Sequence, residues 1–100
     1  MFLPFHYTLK TTAGEIVEQD RSNCYISEFL ADQIIYCGRD PEVFTEVTFT
    51  DTRDGNSHTY TKNDEKWKTI LKELIDELEF RAKEYHDGAT LTRIELEKLA

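Results

Sequence analysis

The chain has 100 residues, 39% of them hydrophobic and 12% aromatic, enough for one domain with one core and too apolar for general disorder. Twelve Lys and Arg stand against twenty Asp and Glu, a net charge of −8, so the surface repels nucleic acid and attracts basic partners. No apolar run approaches a membrane span, and the opening Met-Phe-Leu-Pro-Phe-His lacks the basic start and long apolar stretch of a signal peptide.

Phe5, Tyr7 and Leu9 alternate with His6, Thr8 and Lys10, the period-two pattern of a half-buried strand whose start suits Pro4. Thr11 to Gly14 reads as a turn and Glu15 to Gln19 as the returning strand of a hairpin. The next stretch leaves two readings open. Asn23 can cap a helix beginning at Cys24, or Cys24 to Ile26 stays extended and Ser27 is the cap. A helix over at least Ser27 to Tyr36 is expected either way, with Ile26, Leu30, Ile34 and Cys37 near its inner face and Gly38 ending it. Glu28 and Asp32 fall together on its outer side, where like charges four residues apart cost a few tenths of a kcal/mol.

Arg39 to Glu42 reads as a loop. Val43, Thr45, Val47 and Phe49 then alternate with Phe44, Glu46, Thr48 and Thr50 as a strand, Asp51 to Ser57 as a turn, and His58 to Thr61 as a short return strand. The stretch Thr61 to Gly88 is the most strongly patterned in the chain. Trp67, Ile70, Leu71, Leu74, Ile75, Leu78, Ala82 and Tyr85 recur at steps of three and four, one face of a single long helix. Thr61 or Asn63 can cap its start, Asp64 and Glu65 suit its positive end, and Gly88 can close it. Glu73, Asp76, Glu77 and Glu84 gather on the opposite side with Phe80 among them, which is either a lone exposed aromatic, a ring covered by the chain's end, or an anchor for a partner. Glu77–Arg81 and Glu79–Lys83 are spaced as i,i+4 pairs. Thr90 to Glu97 reads as a last strand, although Thr92 and Glu95 have the spacing of a capping box. The expected fold is α+β, an antiparallel sheet of four to five strands with two helices on one face in the order ββαββα(β).

Motifs for chemistry are missing. His6, His58 and His86 fall on separate elements, and a metal site built from them with Cys24 and Cys37 has no ligand spacing to support it. Asp51, Asp54, Gly55 and Asn56 faintly resemble a calcium loop, but Lys62 stands where the twelfth-position Glu is needed. No phosphate loop and no nucleophile motif is present, so neither an enzyme nor a bound cofactor is expected. The two cysteines lack a disulfide framework and read as reduced thiols of a cytoplasmic protein, packed as small apolar residues.

Residues 1–61 hold four basic and ten acidic side chains, against six and eight in 62–87, so the acid excess lies in the first part of the chain. A small acidic α+β domain of this size without catalytic motifs resembles the phage-encoded inhibitors of host defence, the anti-CRISPR and anti-restriction proteins. That resemblance covers overall character alone, and no residue carries over from it. It implies a protein that blocks a nucleic-acid-handling complex, often by placing carboxylates where phosphates lie.

A basic, nucleic-acid-binding protein is the expected partner, without direct contact to nucleic acid or membrane, the chain itself being a monomer or homodimer. Glu28, Asp32, Asp40, Glu42, Glu46, Asp51 and Asp54 are the candidate carboxylates, with Tyr36, Phe44 and Phe80 as candidate aromatic anchors. Two alternatives are an immunity or antitoxin-type protein capping a basic toxin, and an assembly protein that self-associates through a sheet edge or the Phe80 face.

Overall fold

The structure, a computed structural model, describes residues 3–81 and 86–99. Its elements run β1 (Phe5–Thr11), β2 (Ile16–Arg21), α1 (Ile26–Cys37), a short 3-10 turn (Pro41–Val43), β3 (Phe44–Asp51), β4 (Asn56–Thr61), α2 (Glu65–Arg81) and α3 (His86–Leu99). The four strands form one antiparallel sheet in the order β2-β1-β3-β4.

Period-two patterning decides the sheet's faces. Tyr7 stands opposite Phe49 and Gln19, and Leu9 opposite Val47 and Val17, so these side chains share one face. Tyr7, Leu9 and Val47 are fully buried there. The other face carries His6, Thr8, Lys10, Thr48, Thr50, Ser57 and Thr59 and is polar, as an antiparallel sheet covered on one side allows. The hairpin turn needs a left-handed residue, and Gly14 supplies it with φ 80°.

The helices cover the apolar face. Trp67, Ile70, Leu71, Leu74, Ile75 and Leu78 of α2 are all buried, as their spacing predicts. They join Phe29, Leu30 and Ala31 of α1 and Ala89 of α3 in one core with the sheet residues. Tyr7 is at the junction: its ring centroid lies 4.9 Å from Phe29 and 5.9 Å from Phe49, and its hydroxyl donates to the Asn23 carbonyl at 3.0 Å. Burial of the ring pushes the Tyr7 hydroxyl well above the usual phenol range.

The expectations for α1 hold in outline. Its first turn has no side-chain cap; Asn23 instead accepts a hydrogen bond from the Tyr25 N–H at 3.2 Å and shapes the entry. Gly38 ends the helix with φ 65°, and its N–H donates to the Gln33 carbonyl. Cys37 is a correction: it lies exposed, as does Cys24, while Phe29 and Ala31 hold the inner positions. Both thiols are free.

At the start of α2, Asp64 directly precedes the first helical residue, Glu65, where Thr61 or Asn63 is the expected cap. Asp64 accepts from the Thr61 N–H at 2.8 Å and its own carbonyl receives the Trp67 N–H at 3.0 Å. Ala82, Lys83, Glu84 and Tyr85, expected on the same long helix, lie outside the described residues. Gly88 does not close a helix; it falls inside α3.

The last expected strand is also corrected, because Thr90 to Glu97 belongs to α3. A helix explains what alternation does not: Ala89, Thr92 and Glu95 recur every third residue and are all buried, with Leu96 and Leu99 against the core. Glu95 is only 7% exposed and meets Lys62 at 3.3 Å, and Lys62 also donates to the Glu42 carbonyl at 2.5 Å. That pair fastens α3 to the segment between β4 and α2.

A bulge accounts for a further correction. Lys10 pairs with Glu46, but the next residue, Thr11, pairs with Phe44, leaving Thr45 as the extra residue on β3. The extra residue turns Phe44 to the inner face, where it is fully buried. It belongs to the core and offers a partner nothing.

Candidate functional site

Most of the candidate carboxylates are occupied within the fold. Asp32 accepts from Arg21 of β2 at 2.5 Å and from Arg81 of α2 at 2.6 Å, and Arg81 also holds Glu77 at 2.7 Å and the Glu28 carbonyl at 3.3 Å. Three elements meet at this hub, with the Asp32 side chain 21% exposed. Burial pushes the Asp32 carboxyl up, yet the hydrogen bonds from Arg81 and Arg21 prevail and hold it below its ordinary range. Burial likewise works against the Arg81 charge, and Glu77 and Asp32 more than offset it, keeping its pKa raised. The like-charge cost expected between Glu28 and Asp32 is therefore answered by arginines from two other elements.

The remaining acids of the first sixty residues have similar tasks. Asp40 accepts from the Glu42 N–H at 2.9 Å and caps the 3-10 turn. Glu42 lies 3.7 Å from Lys98, and Glu46 3.0 Å from Lys10. Asp51 grips Arg53 at 2.7 Å, which holds its carboxyl below the usual range, and Asp54 accepts from the Asn56 N–H at 2.9 Å within the β3–β4 turn. Glu28 is half-buried, without an ion pair among the described residues. On the open sheet face, His6 stands between Asp20 at 2.7 Å and Glu18 at 3.2 Å.

All five arginines are consumed in this way: Arg21 and Arg81 by Asp32, Arg39 by Glu15 at 3.2 Å, Arg53 by Asp51, and Arg93 by Glu79. Each guanidinium thus has a carboxylate of the same chain beside it.

Among the described residues, exposed carboxylates without an ion pair include Asp54 in the β3–β4 turn and Glu97 on α3, and two lie together on α2. Glu73 and Asp76 are exposed and form no ion pair among the described residues. Phe80, one turn beyond Asp76, is 87% exposed, so it is uncovered by any described segment. At steps of three and four, Glu73, Asp76 and Phe80 make a single stripe opposite the buried one. Tyr36 on α1 is the other highly exposed aromatic among the candidates, at 77%. The structure thus brings Glu73 and Asp76 beside Phe80 and ties up Asp32, Asp51 and Glu46 elsewhere. Sequence reading does not foresee the arginine partners, because Arg21–Asp32 and Arg39–Glu15 are contacts between elements and no local spacing announces them.

No group of three metal-ligating side chains converges among the described residues, and no described helix is long and apolar enough to cross a membrane. Compared with family models, curated proteins and solved structures, the chain matches none.

Proposed function

We propose that this chain is a small acidic binding protein that inhibits a nucleic-acid-binding complex, by steric block or by setting carboxylates where phosphates lie. The observation that carries this reading is the pairing of every arginine with a carboxylate of the same chain, while Glu73 and Asp76 stay unpaired around an exposed Phe80. Such a surface answers the Lys and Arg of a nucleic-acid groove, where an unpaired carboxylate forms charge-assisted hydrogen bonds and an aromatic ring supplies apolar contact. It acts by occupancy and without catalysis. Its setting is the cytoplasm, in keeping with two exposed free thiols, Cys24 and Cys37, that a reducing compartment tolerates.

The test is competition. The protein is immobilised, proteins are captured from a lysate, and the captured partner is challenged with duplex DNA and with structured RNA. The reading expects a nucleic-acid-binding partner that the nucleic acid displaces. It fails if the partner binds no nucleic acid, or if nucleic acid and inhibitor occupy the partner together without competing. A single basic toxin as the partner would move the chain to the immunity class instead.

A further inference from the structure

The sheet ends in two edges, β2 and β4, and they are built differently. An edge strand exposes backbone N–H and C=O groups that another strand can take up, and proteins commonly blunt it with charge, proline or a bulge. β2 reads Ile-Val-Glu-Gln-Asp-Arg and carries three charged side chains in six residues. β4 reads Asn-Ser-His-Thr-Tyr-Thr, without Asp, Glu, Lys, Arg or Pro. Its register on β3 runs unbroken from Asn56↔Asp51 to Thr61↔Glu46, and residues 56–59 are exposed. In a chain with 32% charged residues, an uncharged and regular edge of this length is an exception.

The hydrogen-bond phase of β4 is fixed by one bond. The Lys62 N–H donates to the Thr45 carbonyl at 3.2 Å, which makes Thr61↔Glu46 a non-hydrogen-bonded pair. Alternation then turns the backbone of Asn56, His58 and Tyr60 toward β3 and that of Ser57, Thr59 and Thr61 outward. The Thr61 N–H is taken by Asp64 at 2.8 Å. Both groups of Ser57 and of Thr59 face the open edge, while the Thr61 carbonyl already accepts the Asp64 N–H at 3.0 Å.

We propose that β4 pairs antiparallel with β4 of a second copy about a two-fold axis at Thr59, joining two sheets into one. The two Thr59 residues exchange a pair of N–H···O bonds across the axis. Two features choose a second copy over a foreign strand. Each chain carries −8, so self-association is favoured only where the contact is uncharged, and β4 is the uncharged edge. The side chains are also self-complementary in this register. On the polar face, Thr59 already meets Thr48 at 2.9 Å and Ser57 meets Thr50 at 2.7 Å, and the dimer continues that hydroxyl row with Thr59 beside Thr59, a favourable cross-strand pair. On the other face the axis sets Tyr60 opposite His58 of the partner subunit twice over, and the His58 ring is already stacked on Phe49 at 4.9 Å. An edge contact of this kind is small, at the low end of specific interfaces, so the dimer is weak and concentration-dependent. The proposal stands apart from the inhibitor reading; neither requires the other.

Sedimentation velocity of the purified chain over a rising concentration series tests it. The expected result is a mass climbing from 11.8 kDa toward twice that value. Thr59→Pro removes an outward N–H together with the hydroxyl contact to Thr48, and Thr59→Lys sets two like charges side by side at the axis; each is expected to weaken the dimer at least tenfold while circular dichroism stays native. Gln19→Lys on the other edge is expected to leave it intact. In a Cys24→Ser, Cys37→Ser background, Thr59→Cys is expected to form a symmetric disulfide on oxidation, since hydrogen-bonded partners sit about 5.5 Å apart at Cα, within disulfide reach. A chain that stays monomeric at the highest concentration overturns the proposal. So does a dimer that survives Thr59→Lys, one lost instead in Phe80→Ala, or a Thr59→Cys chain that gives no cross-linked dimer. Should Thr59→Pro fail to fold, Thr59→Lys and the cross-link decide the matter.

Discussion

Asp32 is where single-residue energetics are most concentrated. Removing its carboxylate leaves Arg21 and Arg81, both largely shielded from solvent, without that partner. Asp32→Ala is expected to cost about 1–3 kcal/mol, because stranding a shielded charged donor costs more than the bond itself contributes. Urea denaturation measures the cost, and a loss within error of zero would mean the hub is a surface decoration. The pH dependence has a definite sign. The folded carboxyl lies below its ordinary 3.8, so its contribution is complete above that value and disappears as pH falls through the folded pKa. His6 behaves the opposite way. The hydrogen bond to Asp20, then that to Glu18, raises its pKa above 6.5, so its contribution is complete below 6.5 and disappears as pH rises through the folded pKa. The wild-type melting temperature is therefore expected to fall slightly between about pH 6 and 9 relative to His6→Gln. The ring is partly solvated, which keeps the difference small. A parallel course of the two curves would show that the clasp contributes nothing.

At the level of elements, α2 decides stability on one face and is free on the other. Leu74 is fully buried mid-stripe, and Leu74→Ala is expected to cost ~2–5 kcal/mol, a large share of what a domain this size has. Phe80→Ala is expected to leave the melting temperature unchanged, since nothing described covers the ring. A marked drop in the melting temperature of that variant would place Phe80 in the core. The contrast between these two residues is legible in the sequence because helical spacing is a local property that burial of one face enforces. The same holds for Phe5, Tyr7 and Leu9, and for Gly38 as the end of α1. Phe44 is not legible, because a bulge at Thr45 resets the alternation, and a bulge is set by pairing with β1 rather than by neighbours in sequence. Nor is α3, whose buried stripe runs through Thr92 and Glu95; polar residues at core positions hide a helical period from any hydrophobic pattern. For the candidate site, the acidic stripe with Phe80 can be read from helix geometry, while the choice of which carboxylates stay unpaired depends on where Arg21, Arg39 and Arg81 arrive after folding.

For the molecule as a whole, charge in the sequence and charge available to a partner are different quantities. The acid excess belongs to the first sixty residues, yet Asp32, Glu46 and Asp51 there are held by Arg or Lys, and the unpaired Glu73 and Asp76 lie on α2. Long-range attraction still draws on the full −8, so partner affinity is expected to fall as salt rises, the field being screened over about 8–10 Å near physiological ionic strength. Short-range binding draws on the unpaired carboxylates alone. Glu73→Lys with Asp76→Lys is therefore expected to weaken partner binding by at least tenfold with an unchanged melting temperature. Asp40→Lys, which removes a turn cap from the other part of the acidic surface, is expected to change binding less. Both variants leave the Asp32 hub untouched, and the melting temperature of each separates a loss of binding from a loss of fold. Titration of the captured partner at two salt concentrations reads both effects. If Asp40→Lys is the more damaging change, the binding face lies on the side of the 3-10 turn and not on α2. If neither change matters and affinity is indifferent to salt, the contact is apolar and the carboxylates do not stand in for phosphates.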